Sequence, residues 1–372
     1  MTNLRRMMMA TAGVPSGGAS AGSLWGWGSN GVGTVGDGTT VDKSSPVQVG
    51  ALTTWASLEA GNSHVGAIQD DGTLYMWGGA TYGALGNGDD TTNISAPVQL
   101  GALTDWSVVS CGTRQTHAIK TDNTLWSWGH NEDGKLGDGT TVNKSSPVQI
   151  GALTDWESVS AGDYHSLAIK TDNTLWAWGA ASVGRLGDGT TTAKSSPVQI
   201  GALTDWAQVS AAPGSHSAAI KTDGTLWTWG NGGSGRLGHG TTSHLSSPTQ
   251  VGALTTWAFV AASGSGTFAI KTDGTLWSWG SGSNGMLGDG TTVNKSSPVQ
   301  VGALTDWSSI SAWVQVLSVK TDGTLWSWGS HSNGGLGDGQ DAAAKSSPVQ
   351  VGALTNWSSV STGNTHSHAL KV

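Results

Sequence analysis

The side chains able to do chemistry in this sequence fall into a few repeated settings. Histidines occupy a Gly-x-x-His pattern at His64, His165, His216 and His366. Imidazoles converging on one axis would suit a transition metal such as zinc. The equivalent positions of the other copies hold Gln115, Gly266 and Gln315, so the pattern favours a hydrogen-bonding core residue, working inside its own unit. Aspartates recur in Gly-Asp-Gly-Thr-Thr-like loops as Asp37, Asp138, Asp188, Asp289 and Asp338. A calcium loop needs several oxygen ligands at alternating positions. One carboxylate per loop fits better with a side chain closing its own turn. No Gly-x-Ser-x-Gly joins a strand to a helix, and no glycine-rich loop ends in the Lys-Ser/Thr that cradles phosphates. The sequence therefore assigns no catalytic residue, metal or cofactor, and the chain is expected not to be an enzyme.

Recognition is the remaining chemistry, and it is sought where the copies disagree. Scaffold positions repeat almost letter for letter, whereas two loops vary from copy to copy. Trp313 breaks the pattern, because the other copies have a small residue there. An aromatic ring or an arginine on a variable loop is the residue type that anchors protein interfaces. The binding candidates are Trp313, Arg114, Tyr164 and Tyr82, followed by Lys135, Arg185 and Arg236.

The elements that must position these residues are legible in the spacing. An aromatic-x-Trp-Gly tetrad recurs seven times, with its last glycine at 28, 78, 129, 179, 230, 280 and 329. A period near 50 residues over the whole chain marks a radial or solenoid repeat. Residues 151–179, GALTDWESVSAGDYHSLAIKTDNTLWAWG, give one unit. Residues 156–160 and 165–170 read as alternating strands, Asp172-Asn173 as a two-residue hairpin turn, and 174–178 as a third strand. A glycine-rich loop leads to Ser195-Ser196-Pro197-Val198-Gln199-Ile200, whose proline limits it to an edge strand.

Four short antiparallel strands per unit, repeated radially, give an all-β, seven-bladed β-propeller. The ordered pattern begins with a third strand at Ser23 and ends after a second strand at Val372. The terminal strands should therefore pair within one blade and close the ring. The three tryptophans of each unit are expected to pack between blades.

Charge and composition narrow the partners. The formal net charge is −8, with five arginines in total and no basic block beyond Arg5-Arg6, which disfavours nucleic acid. No run of about 20 apolar residues could span a bilayer. Cys111 is the only cysteine, so no internal disulfide forms. Residues 1–22, rich in Gly, Ser and Ala, read as an attachment arm preceding the propeller of residues 23–372.

The unit resembles the repeat of the regulator of chromosome condensation family. The likeness rests on Leu-Trp-x-Trp-Gly, Gly-x-Leu-Gly-x-Gly, Ser-Pro-x-x-Val and Ala-Gly-x-x-His-Ser-x-Ala-Ile, over Ser23 to Val372. The family includes a nucleotide exchange factor for a small GTPase, an ultraviolet-B receptor, a β-lactamase inhibitor and bacteriophage structural proteins. No unit here carries an insertion like the exchange factor's β-wedge, and the photoreceptor's Gly-Trp-Arg-His-Thr-like motif is missing. The resemblance and the arm together lead to the expectation of a virion protein of a tailed bacteriophage. Residues 1–22 would dock in the particle, with the propeller face binding a host surface or a neighbouring virion protein; synthesis would be in the host cytoplasm. The alternative is a cellular, cytoplasmic propeller module that binds or inhibits a protein partner.

Overall fold

A computed structural model describes residues 21–340 and 343–372. Strands form seven four-stranded antiparallel sheets, each the blade of a closed propeller. Blade one starts at Trp55, and blades two to six at Trp106, Trp156, Trp206, Trp257 and Trp307. Within blade three the strands run Trp156–Ala161, His165–Lys170, Leu175–Gly179 and Lys194–Gln199, from the central axis outwards. Blade seven joins Trp357–Thr362 and His366–Lys371 to Ser23–Gly28 and Lys43–Gln48. Ser23 pairs with Lys371 and Gly28 with His366, so the two ends of the chain close the ring as expected. The arm assigned to residues 1–22 lies outside the described residues except for its last two, and Gly22 already donates to the Trp55 carbonyl at 3.0 Å.

Two local features depart from the simplest reading of the repeat. The Asp172-Asn173 turn has positive φ only at Asn173 (59°), and Asn173 N–H donates to the Lys170 carbonyl. It is a three-residue loop, a tight turn followed by one left-handed residue, instead of a two-residue primed turn. Asp172 Oδ1 accepts from the backbone and hydroxyl of Thr174 and locks it. The outer strand is also bulged, since Ala177 faces Val198 but Gly179 faces Lys194. Pro197 sits inside that bulge, where no ladder donor is required.

Packing is between blades. Val108, Ile119 and Leu125 of blade two enclose Trp156, Val159 and Trp178 of blade three. The Trp178 indole donates to the Lys135 carbonyl of the preceding blade at 2.9 Å. Gly137 (φ 82°) lies against that ring, and a Cβ there would stand 2.9 Å from the indole nitrogen. That contact accounts for the first glycine of Leu-Gly-Asp-Gly. On the opposite side, Lys170 Nζ sits 4.9 and 4.2 Å from the Trp156 and Trp176 ring centroids and 3.3 Å from Asp155. Such cation–π clusters recur with Lys120, Lys221, Lys271 and Lys320.

One backbone position is strained. Val183 adopts φ 59°, where blades two, five and six hold Asp133, Asn284 and Asn333. A β-branched residue in left-handed conformation costs about 1–2 kcal/mol, a cost Asn largely avoids. Val183→Asn is expected to raise stability by about 1 kcal/mol, read as a higher denaturant midpoint at unchanged slope.

Candidate binding face

In a four-stranded meander the first and third connections emerge at one end and the second at the other. Both variable loops of every blade therefore open on a single face, the loop face. Among the described residues the opposite face carries the Asp-Asn/Gly turns, the nearly invariant Gly-Ala-Leu-Thr segments and, in blade seven, Gly22 and Val372. The topology thus gathers the variation that the sequence scatters over 300 residues.

Six of the seven candidate residues lie on blades one to four of that face, and several touch. Tyr82 stacks on His130 at 4.3 Å between ring centroids, and the Arg114 guanidinium lies 5.2 Å from the Tyr82 ring. One blade further on, Lys135 Nζ and the Arg185 guanidinium lie 5.8 and 5.1 Å from the Tyr164 ring. Arg236 Nη1 donates to the Gly214 and Gly264 carbonyls at 2.8 and 2.9 Å, tying the loops of blades four and five. Arg114 is exposed, and Tyr164 is 47% exposed.

Lys135 and Arg185 differ from the free anchors expected of loop cations, being only 4% and 6% exposed. Lys135 Nζ donates to the Asp163 carbonyl at 3.0 Å, and Arg185 bonds Ser182. They hold the loops in place, leaving Tyr82, Arg114 and Tyr164 as the surface a partner meets, with the largely covered His130 packed against Tyr82. Burial pushes the Lys135 ammonium down to about 8. Burial likewise raises the Asp163 carboxyl to about 7, against the pull of Lys135, Arg185 and Arg114. The Asp163 carboxylate accepts from the Thr113 hydroxyl, which ties blade three's loop to blade two's. This arc is an aromatic surface that carries one exposed cation, Arg114, beside the exposed carboxylates of Glu132 and Asp133.

Trp313 stands apart, half-buried at the mouth of the central channel. The channel holds a cavity of about 80 Å³ lined by innermost-strand residues of all seven blades. The hydroxyls of Ser110, Ser160, Ser210 and Ser311 ring it, and each, like that of Ser361 beside Glu59, accepts from a backbone N–H of the following blade at 2.9–3.0 Å. Glu59 takes the equivalent place in blade one, and the sequence reading missed it. Aligning the innermost strands would have revealed it, since the other copies hold Ser or, once, Ala261. His130 was likewise present in a variable loop but not singled out.

All four repeated histidines are buried, and three of them bridge blades instead of serving their own, whereas His366 Nε2 has no hydrogen-bond partner among the described residues. His64 Nε2 meets Thr116 of blade two at 2.9 Å, His165 meets Ser217 at 2.8 Å, and His216 meets Thr267 at 2.9 Å. Gln115 makes a corresponding bridge to the Gly162 carbonyl of blade three. The loop aspartates close their turns as expected: Asp138 accepts from the Thr140 backbone and hydroxyl and pairs with Lys144 at 3.3 Å. Among the described residues no three His, Cys, Asp or Glu side chains gather to hold a metal ion, and no helix is long and apolar enough to cross a membrane.

A family model for the regulator of chromosome condensation (RCC1) repeat matches seven times, over residues 21–68, 71–119, 122–169, 172–220, 223–270, 273–315 and 322–370. The chain belongs to the RCC1 repeat family. Curated relatives include the human E3 ubiquitin-protein ligase HERC2, 31% identical over 123 residues, and the ultraviolet-B receptor UVR8 of Arabidopsis thaliana, 34% identical over 126 residues. Those matches cover 32% and 33% of this RCC1 chain but only 2% and 28% of the relatives. Human WBSCR16 superposes with a TM-score of 0.82 at 20% identity, covering 94% of this chain and 98% of its own. Yeast Prp20, solved bound to Kap60, gives 0.84 at 16% identity, covering 94% and 89%. At such identities these likenesses show the shared propeller fold.

Proposed function

We propose that this RCC1 propeller is a non-enzymatic module that binds a protein partner through its loop face. The observation that carries the reading is the arc of Tyr82, Arg114 and Tyr164, exposed on loops that vary, above a scaffold that does not. Tyrosine and arginine are the side chains that dominate interface energetics when desolvated. Arg114, the arc's exposed cation, offers hydrogen-bond donors to a partner's carboxylate or carbonyl oxygens. Yeast Prp20, which shares the fold, was crystallised with a protein partner, Kap60.

The relatives named above are cellular proteins of human and Arabidopsis. They support a cellular partner over a virion role, and attachment to a phage particle through residues 1–22 gains nothing from them. The test is affinity capture from source cells. A Tyr82→Ala/Arg114→Ala/Tyr164→Ala variant is expected to lose the wild-type partner by more than tenfold. Leu203→Ser, on the opposite face, should retain it. Equal retention by the loop-face variant, or equal loss by Leu203→Ser, would overturn the reading.

A further inference from the structure

One charged side chain in the central channel is used by nothing described so far. Glu59 lines the cavity at the level where five other blades present serine. Its Oε2 accepts from the Ser361 hydroxyl at 3.1 Å, and Oε1 makes no hydrogen bond among the described residues. Glu59 is the next-to-last residue of its strand, Trp55–Ala60, which ends at the loop face. Trp313, the single tryptophan outside the repeated positions, lines the same cavity on that face.

We infer that the loop-face mouth of the channel is a binding site for one primary ammonium group, such as the side chain of a lysine presented by a partner. Glu59 supplies the countercharge and the serine hydroxyls accept N–H bonds. The indole of Trp313 offers a π face to the cation or its methylene stem. A cavity of about 80 Å³ suits a slender alkylammonium and excludes a bulky quaternary one. The site rests on the partner-binding reading for its natural occupant, but not for its chemistry.

The carboxyl gives up a proton when a cation binds. Burial pushes Glu59 up to about 8, only partly offset by the Ser361 bond, so it is largely protonated at neutral pH when the channel holds no cation. Cys111, the neighbouring thiol, is pushed up from its usual range by burial and by Glu59, and stays neutral. An entering ammonium takes the place of that proton. Apparent affinity should therefore rise about tenfold per pH unit up to pH 8 and level off above it.

The test uses the intact chain labelled with [5-13C]glutamate. It contains three glutamates, Glu59, Glu132 and Glu157, so the Glu59 carboxyl carbon has two internal controls. n-Butylammonium chloride is expected to lower the Glu59 titration midpoint by a unit or more, saturably, leaving the other two unmoved. Trp313→Ala should weaken this effect several-fold. Glu59→Ser, which restores the residue of the other blades and should fold, should abolish saturable uptake of n-butylammonium measured by calorimetry. The inference is overturned if sodium chloride at equal ionic strength shifts Glu59 equally, if n-butylammonium shifts nothing, or if Glu59→Ser binds as well as wild type. None of these outcomes bears on capture through Tyr82, Arg114 and Tyr164, so the two readings fail separately.

Discussion

Lowering the pH from 7 to 5 is expected to unfold the ring, well above the range where surface carboxylates protonate. Six histidines are at most 1% exposed, and burial lowers each of these: His64 and His368 to about 4, His117 and His165 to about 3, and His216 and His366 well below their usual value. Lys135, Arg185 and Arg236 add to the lowering at His117, His165 and His216. The unfolded chain takes up protons at these sites below pH 6.5, and the folded one does not. Stability is therefore lost as pH falls through 6.5, by about 1.4 kcal/mol per pH unit for each histidine. Glu59 and Asp163 act oppositely, because their raised values let the folded state bind protons first.

Four groups remain in net terms, giving roughly 5 kcal/mol per pH unit against a typical total of about 5–15 kcal/mol. A midpoint between about pH 4.5 and 5.5 by tryptophan fluorescence and circular dichroism is the expected result. Gln115 and Gln315 hold the position of the repeated histidines and bridge to the next blade without titrating. Replacing His64, His165, His216 and His366 by Gln should move the midpoint down by about a pH unit. A wild-type midpoint near 3, or no movement in that variant, would show that the buried imidazoles do not set acid stability.

Those imidazoles also show what a sequence of repeats reveals and what it withholds. The period carried the number of blades, the closure at Ser23 and Lys371, and the aspartate turns, because each follows from short-range spacing. Whether His165 bonds within its blade or to Ser217 of the next depends on how neighbouring sheets meet, and no local pattern encodes that. Lys135 and Arg185 read as exposed because loop cations usually are. Lys135 turns inward because the next blade's loop presents the Asp163 carbonyl, and Arg185 because its own loop presents the carbonyl and hydroxyl of Ser182. Tyr82, Arg114 and Tyr164 were identifiable as departures from the repeat, but their gathering into one arc required the ring. Glu59 was overlooked because a strand residue draws attention only when it is compared with its equivalents in other blades.

Removing residues 364–372 is expected to abolish folding, whereas removing residues 1–20 should leave the ring intact. The last strand, His366–Lys371, pairs with Trp357–Thr362 on one side and Ser23–Gly28 on the other. It buries Ala369 and Leu370 in the contacts on either side of blade seven, beside Trp27 and Trp357 in one and Leu24 and Trp55 in the other. Without it, Ser23–Gly28 and Lys43–Gln48 form a two-stranded hairpin, which is marginal in water. Blades one and six then lose their shared neighbour, leaving two unpaired apolar faces open to aggregation. The loss should exceed about 5 kcal/mol, the lower end of a typical domain's whole stability.

A chain lacking residues 1–20 keeps every pairing described above. The decisive complement is a circular permutant. Ser23 and Lys371 are partners in adjacent antiparallel strands, so a short Asp-Gly-containing turn can join Val372 to Ser23 as Asp172-Asn173 joins the equivalent strands of blade three. New ends opened in the exposed segment around Leu203 would leave every blade covalently whole. That permutant is expected to fold and to unfold at a higher denaturant concentration than the parent. If the chain ending at residue 363 retains native circular dichroism and a cooperative transition, the ring does not depend on its closure. If it collapses while the permutant folds, pairing between the chain's two ends holds the propeller shut.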